Sequence, residues 1–553
     1  MLFAGPENDA PPVRLKLPAK GWHRIYVAAH YSDIPDSITV SQGSVIEGVY
    51  MLRLKLDTDP CYHVIFPERY ITAKEGRWPE HEFGPYDLVE VFWRCADLDG
   101  GHVEFRPARV EEGYRQTAAC VAYVRLAPMS DAQIAEAKRD AERRDTKRLM
   151  GVYDGAFWGH YPSSREQFRE FVEPLRDSDF RTVAWSTSRA DTVQYDSREF
   201  QVWESPPSRG VKPYFNARDI RRAIADGLDP LGVMAEICDE MGLELLGSMR
   251  IAAQHMPPHS RFCENPYLWS DPENRVRTGD GLATGHLSLA SAKVRRRLTS
   301  VLREQVERYD IAGVHVMFNR SFPFVLYEEP ARGEFIAEHG EDPVKLDPCD
   351  ERWIVHKCRY VTGFIRQIRA MLDEVGDRKG KRLKLAVHAM SCPRHNRFFG
   401  LDLEHAIRAG WVDYVAPHPT FSIEIQQLEP PDEYGPNNTD HHSVTPERIA
   451  EWRQIAAGTN CLVLPDVFPR RKPADEFRKQ AMAYYNAGAD GLSFHDLYWR
   501  IHRKSEWTML SRLGHRDELP GWQQRCEDYF RKRALISVLG LSMDPRYNPG
   551  SCG

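Results

Sequence analysis

Two patterns of apolar and polar positions divide the chain. From Val13 to Pro128 apolar and polar residues alternate in seven short runs: VRLKL, HRIYVAA, YMLRLKL, CYHVIF, LVEVFWRC, HVEFR and CVAYVRL. Successive side chains of a strand point to opposite faces, so this alternation predicts strands with one buried and one wet face. Seven such runs separated by turns predict an all-β sandwich over 13–128, behind a flexible tail over 1–12. The alternation then stops. Ser130-Asp131 caps a predicted helix ending at Arg148, and its charge density marks 129–148 as an exposed linker.

Beyond the linker, eight apolar runs alternate with amphipathic helical segments. The runs are LMGVYD (149–154), RTVAWST (181–187), LELLGSM (243–249), IAGVHVMF (311–318), LKLAVHAM (383–390), VDYVAP (412–417), CLVLPD (461–466) and DGLSFH (490–495). Several of the helical segments end in a glycine suited to a left-handed C-cap. This order predicts parallel βα units, and eight of them predict a (β/α)8 TIM barrel over 149–505, in the α/β class. An open doubly wound sheet is the alternative, but no GxGxxG follows any of the runs. Residues 506–553, with Trp507, Trp522 and the patch WQQRCEDYFRKRALISVLG, predict a helical extension. The long segments 188–229, 250–285, 319–350 and 418–446 each follow a predicted strand, on the face where barrels build their sites.

Composition narrows the partners. A net charge of −6 offers no basic face for nucleic acid, and no zinc-finger spacing is present. The 11 cysteines are scattered without a CxxC, which predicts mostly reduced thiols. No run of about 18 apolar residues predicts a membrane span, and MLFAGPENDAPPV lacks the pattern of a secretory leader, so cytoplasmic residence is expected. Aromatic residues at 11% suit a core and equally suit the apolar faces of sugar rings.

The stretch DPLGVMAEICDEMGLELLGSMR, a Trp-containing loop and SAKVRRRLTSVLREQVERYDIAGVHVMFNR resemble bacterial glycosyl-hydrolase-like proteins of the 10-like barrel type, over residues 147–500. The resemblance implies a (β/α)8 fold acting on glycosides, often with an accessory β-domain. One departure stands out. The family pattern ends its fourth strand in an Asp, as in GIHLD, whereas this chain reads Gly313-Val314-His315-Val316-Met317-Phe318-Asn319-Arg320.

Glycoside hydrolysis needs two carboxyl groups, one to protonate the leaving oxygen and one to attack the sugar or activate water. The catalytic candidates are Glu328 and Glu329 in the loop after the fourth run, Asp466 ending the seventh and Asp496 after the eighth. Each also has a structural reading: a solvated loop for Glu328 and Glu329, an ion pair with Arg470 or Arg471 for Asp466, a cap for Asp496. Candidates for holding a carbohydrate substrate are Asp154, Trp158, His160, Trp185, Arg250, His255, Trp269, Asn319, Arg320, Tyr327, His388, His418, His495 and Trp499. Trp158 and Trp269 are the preferred sugar platforms because polar residues flank them. No HxH or HExxH motif is present, so no metal or other cofactor is expected. Three functions remain open: a glycoside hydrolase, a barrel that binds sugar without cleaving it, and a metal-dependent hydrolase or isomerase.

Overall fold

A computed structural model describes residues 2–4, 10–30, 52–65, 88–107, 119–154, 162–203, 215–251, 266–319, 322–419, 444–468, 474–501, 504–521, 537–538 and 541–542. Eight N-terminal strands are β1 (Leu2–Ala4), β2 (Val13–Lys16), β3 (Lys20–His30), β4 (Leu52–Leu56), β5 (His63–Ile65), β6 (Leu88–Asp99), β7 (His102–Pro107) and β8 (Ala119–Pro128). They form two antiparallel four-stranded sheets, ordered β1-β8-β3-β6 and β2-β7-β4-β5. The period-two pattern explains what lies between them. Ile25, Val27, Trp93 and Val121 from one sheet and Leu52, Leu54, Val103 and Phe105 from the other form one buried cluster. Seven strands fall on the expected runs. The eighth, β1, lies in the stretch expected to be a tail, and pairs Leu2 with Val121. Three residues are too few to show alternation, yet enough to hydrogen-bond along an open edge.

The predicted linker helix is shorter than expected. It spans Asp131–Glu142, opens on a capping box between Ser130 and Gln133, and ends where Arg143 turns extended. It is also tied down, since Asp140 pairs with Arg512 and its Oδ1 lies 2.8 Å from His515 Nε2.

The larger part of the chain is mixed α/β. Its strands are β9 (Leu149–Tyr153), β10 (Phe180–Arg189), β11 (Thr192–Val193), β12 (Gln201–Val202), β13 (Glu244–Arg250), β14 (Arg275–Arg277), β15 (Ala283–Leu287), β16 (Gly313–Met317), β17 (Lys384–Met390), β18 (Tyr414–His418), β19 (Leu462–Val463) and β20 (Leu492–His495). Parallel pairing runs β9-β10-β13-β16-β17-β18-β19, and β20 pairs with β9. Between β19 and β20 the pairing is a single parallel bridge, Asp466 with Ser493. Ser493 N donates to Pro465 O and Val467 N to Ser493 O, both at 2.9 Å. Strand β11 pairs antiparallel with the end of β10 and parallel with β12, while β14 and β15 form a separate antiparallel pair. Gly313 is required where β16 begins, because a Cβ there would lie 2.1 Å from the backbone oxygen of Lys384.

Alternation along these strands sorts their side chains into two cores. Leu245, Met249, Leu385, Val387, Val415, Val463 and Phe494 join the helices in one large cluster. The helix Ala292–Arg308 shows why it docks there: Val294, Leu298, Val301, Leu302 and Val306 recur at the three- and four-residue spacing of one face. The alternate positions Met150, Val152, Ala184, Leu246, Ala386, Ala416 and Leu464 form a second, smaller cluster enclosed by the strands. Burial of one such Leu or Phe stabilises by about 1.5–3 kcal/mol.

The C-terminal helix Lys504–Leu510 carries Trp507, which stacks on Phe180 with ring centroids 5.6 Å apart. Most of the helical patch expected beyond it, including Trp522, lies outside the described residues; Ser537–Val538 within it pairs with Leu541–Ser542 as short antiparallel strands. Among the described residues no helix is long and apolar enough to cross a membrane.

Candidate active site at the strand ends

The inward positions are not apolar throughout. At the N-terminal ends of the strands, Lys384 Nζ donates to Glu244 Oε1 at 2.6 Å and to the Tyr414 hydroxyl at 2.7 Å. Tyr414 in turn donates to Glu244 at 3.1 Å, and Arg181 donates to the same carboxylate. The enclosed apolar cluster follows. Beyond it, at the C-terminal ends, the same alternation brings Ser248, Arg250, His315, His388, His418, Asp466, Ser493 and His495 to one level, joined by Asp154 just past β9.

This upper layer is fully buried and polar. Arg250 Nε donates to Asp154 Oδ1 at 2.6 Å, and Arg250 Nη2 pairs with Asp154 Oδ2. His495 Nε2 lies 3.2 Å from Asp154 Oδ2 and 3.9 Å from Asp496 Oδ2. Asp466 accepts from His418 Nδ1 at 3.0 Å and from the backbone N–H of His495 at 2.7 Å. His388 Nδ1 lies 2.9 Å from His315 Nε2, whose Nδ1 lies 2.8 Å from the Ser248 hydroxyl. Asp496 is buried with φ of 50°, a left-handed conformation that Asp adopts more readily than most residues and that recurs at functional sites.

Burial and neighbouring charge set the protonation states. Burial, then the nearby His495, pushes His315 down to about 3, against the opposing charge of Asp154. His388 is held well below the usual histidine range by burial first and by His315, His418 and His495 next. Both are neutral imidazoles at neutral pH. For Asp466 burial alone acts upward, but the His418 hydrogen bond and the charges of His418, Arg500 and His495 outweigh it and hold the carboxyl well below the usual range. The site therefore combines ionised carboxylate with neutral imidazole, the set needed for proton transfer and for holding charge in a buried site.

Two sets of side chains here have metal-ligand spacing. One ligand atom each from His388, His418 and His495 lies within 4.8 Å of the others, and the same holds for Asp154, His495 and Asp496.

The structure brings together Asp154, Arg250, His388, His418, Asp466, His495 and Asp496 among the residues named from sequence. Glu328 and Glu329 lie elsewhere. Glu328 is buried and accepts from Ser288, from Arg277 N at 3.0 Å and from Leu326 N at 3.1 Å, so it pins one loop to another; burial raises its pKa. Glu329 is exposed and accepts from Gly333 N at 3.0 Å, at the start of the helix Ala331–His339. Trp185 points outward into the helical layer, with ring centroids 5.1 Å from Tyr153 and 6.0 Å from Phe171. Trp269 is buried in the large core under Arg275, and Tyr327 stacks on Trp353 at 5.8 Å. Asn319 is buried just past β16, and among the described residues neither amide atom has a hydrogen-bond partner. Trp158, His160, His255, Arg320, Arg470, Arg471 and the side chain of Trp499 lie outside the described residues. Sequence reading did not single out Ser248, His315, Ser493 or Arg500. Stepping back by two from Arg250 and His495 reaches Ser248 and Ser493, a signal that was present.

No protein-family model matches the chain, and no curated protein matches it. Solved structures do. The alpha-L-fucosidase isoenzyme 2 from Paenibacillus thiaminolyticus is 13% identical with a TM-score of 0.41, over 69% of this chain and 50% of that one. The beta-galactosidase from the psychrophilic Marinomonas ef1 is 12% identical with a TM-score of 0.40, over 69% and 60%. The catalytic domain of beta-amylase from Paenibacillus polymyxa is 11% identical with a TM-score of 0.42, over 66% and 98%. The chain thus spans half to three-fifths of the first two. Likeness at this level assigns no residue and no substrate to this chain.

Proposed function

We propose that the chain is a glycoside hydrolase that cleaves O-glycosidic bonds of an oligo- or polysaccharide in the upper polar layer. In this reading the parallel circuit over 149–505 is a (β/α)8 barrel, 13–128 a β-sandwich accessory domain, 129–148 the link between them, and 506–553 an extension. The supporting observation is the approach of two carboxylates: oxygens of Asp154 and Asp496, from the ends of the paired strands β9 and β20, lie within 4.8 Å with His495 between them. Retaining glycosidases place their two carboxyl groups about 5–5.5 Å apart and inverting ones about 6.5–9.5 Å, and retention is the course taken here for so close an approach. Its bidentate partner Arg250 orients Asp154, whose carboxylate attacks the anomeric carbon. Asp496 gives its proton to the leaving oxygen, then takes one from the water that releases the sugar. Asp466 orients His418 through their hydrogen bond and does not meet the substrate.

The test is turnover on a panel of aryl glycosides and polysaccharides, with the anomer of the first product read by NMR. The expected result is a retained configuration and a loss of about 10²–10⁴-fold in kcat for Asp154→Asn and for Asp496→Asn. Wild-type activity unchanged in Asp496→Asn rejects the assignment, and sugar binding without any wild-type turnover replaces it with a carbohydrate-binding barrel.

A further inference from the structure

Three imidazoles of the upper layer have an arrangement that glycoside cleavage does not use. His388, His418 and His495 stand at the ends of β17, β18 and β20 and are at most 1% exposed. One nitrogen of each falls within the 4.8 Å grouping. Two of the rings have their other side held by a hydrogen bond, and the third lies beside a carboxylate. His418 Nδ1 is bonded to Asp466, His388 Nδ1 meets His315 backed by Ser248, and His495 Nε2 faces Asp154 at 3.2 Å. Among the described residues, His388 Nε2 and both ring nitrogens of His495 are buried without a hydrogen-bond partner. A buried polar atom left unsatisfied is costly, and three on two neighbouring rings call for an occupant.

We propose that His388, His418 and His495 form a binding site for one divalent transition-metal ion of the zinc class, with Asp466, Asp154 and the Ser248–His315 pair as its outer support. Tetrahedral zinc holds imidazole nitrogens at about 2.0–2.1 Å, which sets them about 3.3 Å apart. The three rings therefore close by at most about 1.5 Å, within the reach of small side-chain rotations. An all-imidazole set selects zinc, cobalt, nickel or copper over the oxygen-seeking magnesium and calcium. Ligation through His388 Nε2 fixes its tautomer: Nδ1–H donates to His315 Nε2, and His315 Nδ1–H donates to the Ser248 hydroxyl. Three protein ligands leave a fourth position, where an ion of this class acts as a Lewis acid and acidifies bound water. The inference rests on the upper layer being the functional site and is independent of the sugar assignment.

The experiment uses full-length protein stripped with a chelator and then titrated with ZnCl2, CoCl2 or MgCl2 by calorimetry near neutral pH. Expected are one equivalent of Zn2+, one of Co2+ and none of Mg2+, a raised Tm with Zn2+, and a Co2+ visible spectrum of tetrahedral type without thiolate charge transfer. The double variant His388→Gln/His495→Gln weakens Zn2+ binding at least about 100-fold, and His315→Phe, which touches no metal, weakens it by about 10–100-fold through lost positioning. Absence of Zn2+ binding overturns the proposal, as do a thiolate band and a folded double variant that retains affinity. Should the double variant not fold, the Co2+ spectrum of the wild type decides. Glycan turnover is read separately: turnover without zinc binding removes this inference alone, and zinc binding without turnover removes the glycosidase reading alone.

Discussion

The two ends of the same set of parallel strands carry polar layers that solve the problem of burial in opposite ways. At the N-terminal end, Lys384, Tyr414 and Arg181 all donate to Glu244 and Lys384 also donates to Tyr414, so one carboxylate serves two cations and a hydroxyl within hydrogen-bond distance. At the C-terminal end, Asp154, Arg250, Asp466 and His418 are paired, but His388 Nε2 and His495 Nδ1 are not. A saturated polar cluster can be explained by stability alone. One that keeps acceptors and donors in reserve, buried away from solvent, is explained by what it binds. The enclosed apolar cluster between the two layers separates them, so each can be altered with little effect on the other.

The largest effect is expected in the upper layer. Asp154→Ala leaves the Arg250 guanidinium buried without its counter-charge, and urea unfolding should register a loss of about 3–5 kcal/mol.

A smaller effect tests the saturated type of cluster away from the strands. His515 has both nitrogens engaged, Nδ1 with Asp179 at 2.7 Å and Nε2 with Asp140 at 2.8 Å. Burial acts downward on it, but these two carboxylates prevail and push it up to about 9. A histidine whose folded pKa lies above its unfolded value of about 6.5 contributes stability that is complete below that pH. The contribution, on the order of 2 kcal/mol, should fade as pH rises through about 9 and be absent from His515→Gln, as followed by Tm against pH.

The smallest effect belongs to the lower layer. Lys384→Met leaves the half-buried Glu244 with Arg181 and Tyr414, and should cost about 1–2 kcal/mol. Burial acts upward on Glu244, yet the Lys384 hydrogen bond, the Lys384 charge and Arg181 hold it below the usual range. That stabilisation is present above the unfolded pKa of about 4.3 and lost as pH falls through the lower folded value. Acid unfolding of Lys384→Met should therefore depend less steeply on pH than that of the wild type.

The architecture was legible because outer strand faces and helix faces repeat at different periods, and those periods survive in the sequence. The site was legible only where it coincides with strand ends. Asp466, Asp496, His388, His418 and His495 stood out for that reason, whereas His315 lies deeper on the inward face of β16 and did not. One of two readings of Asp466 pairs it with Arg470 or Arg471, which lie outside the described residues. Its partner is His418, because adjacent parallel strands set positions 418 and 466 at one level. Glu328 and Glu329 attracted notice as adjacent acids, yet adjacency in a loop placed one against Ser288 and Arg277 and the other at a helix start. Trp185 belongs to the outward set of β10, opposite Tyr153 and Gly247, and packing against Phe168 and Phe171 takes up its ring.

The difference between the two layers is tested most directly by assaying Asp496→Asn and Lys384→Met side by side, for glycan turnover and for Tm. The account predicts that Asp496→Asn keeps its Tm and loses turnover, while Lys384→Met lowers Tm and keeps turnover at temperatures where it is folded. An active Asp496→Asn, or a folded but inactive Lys384→Met, would contradict it.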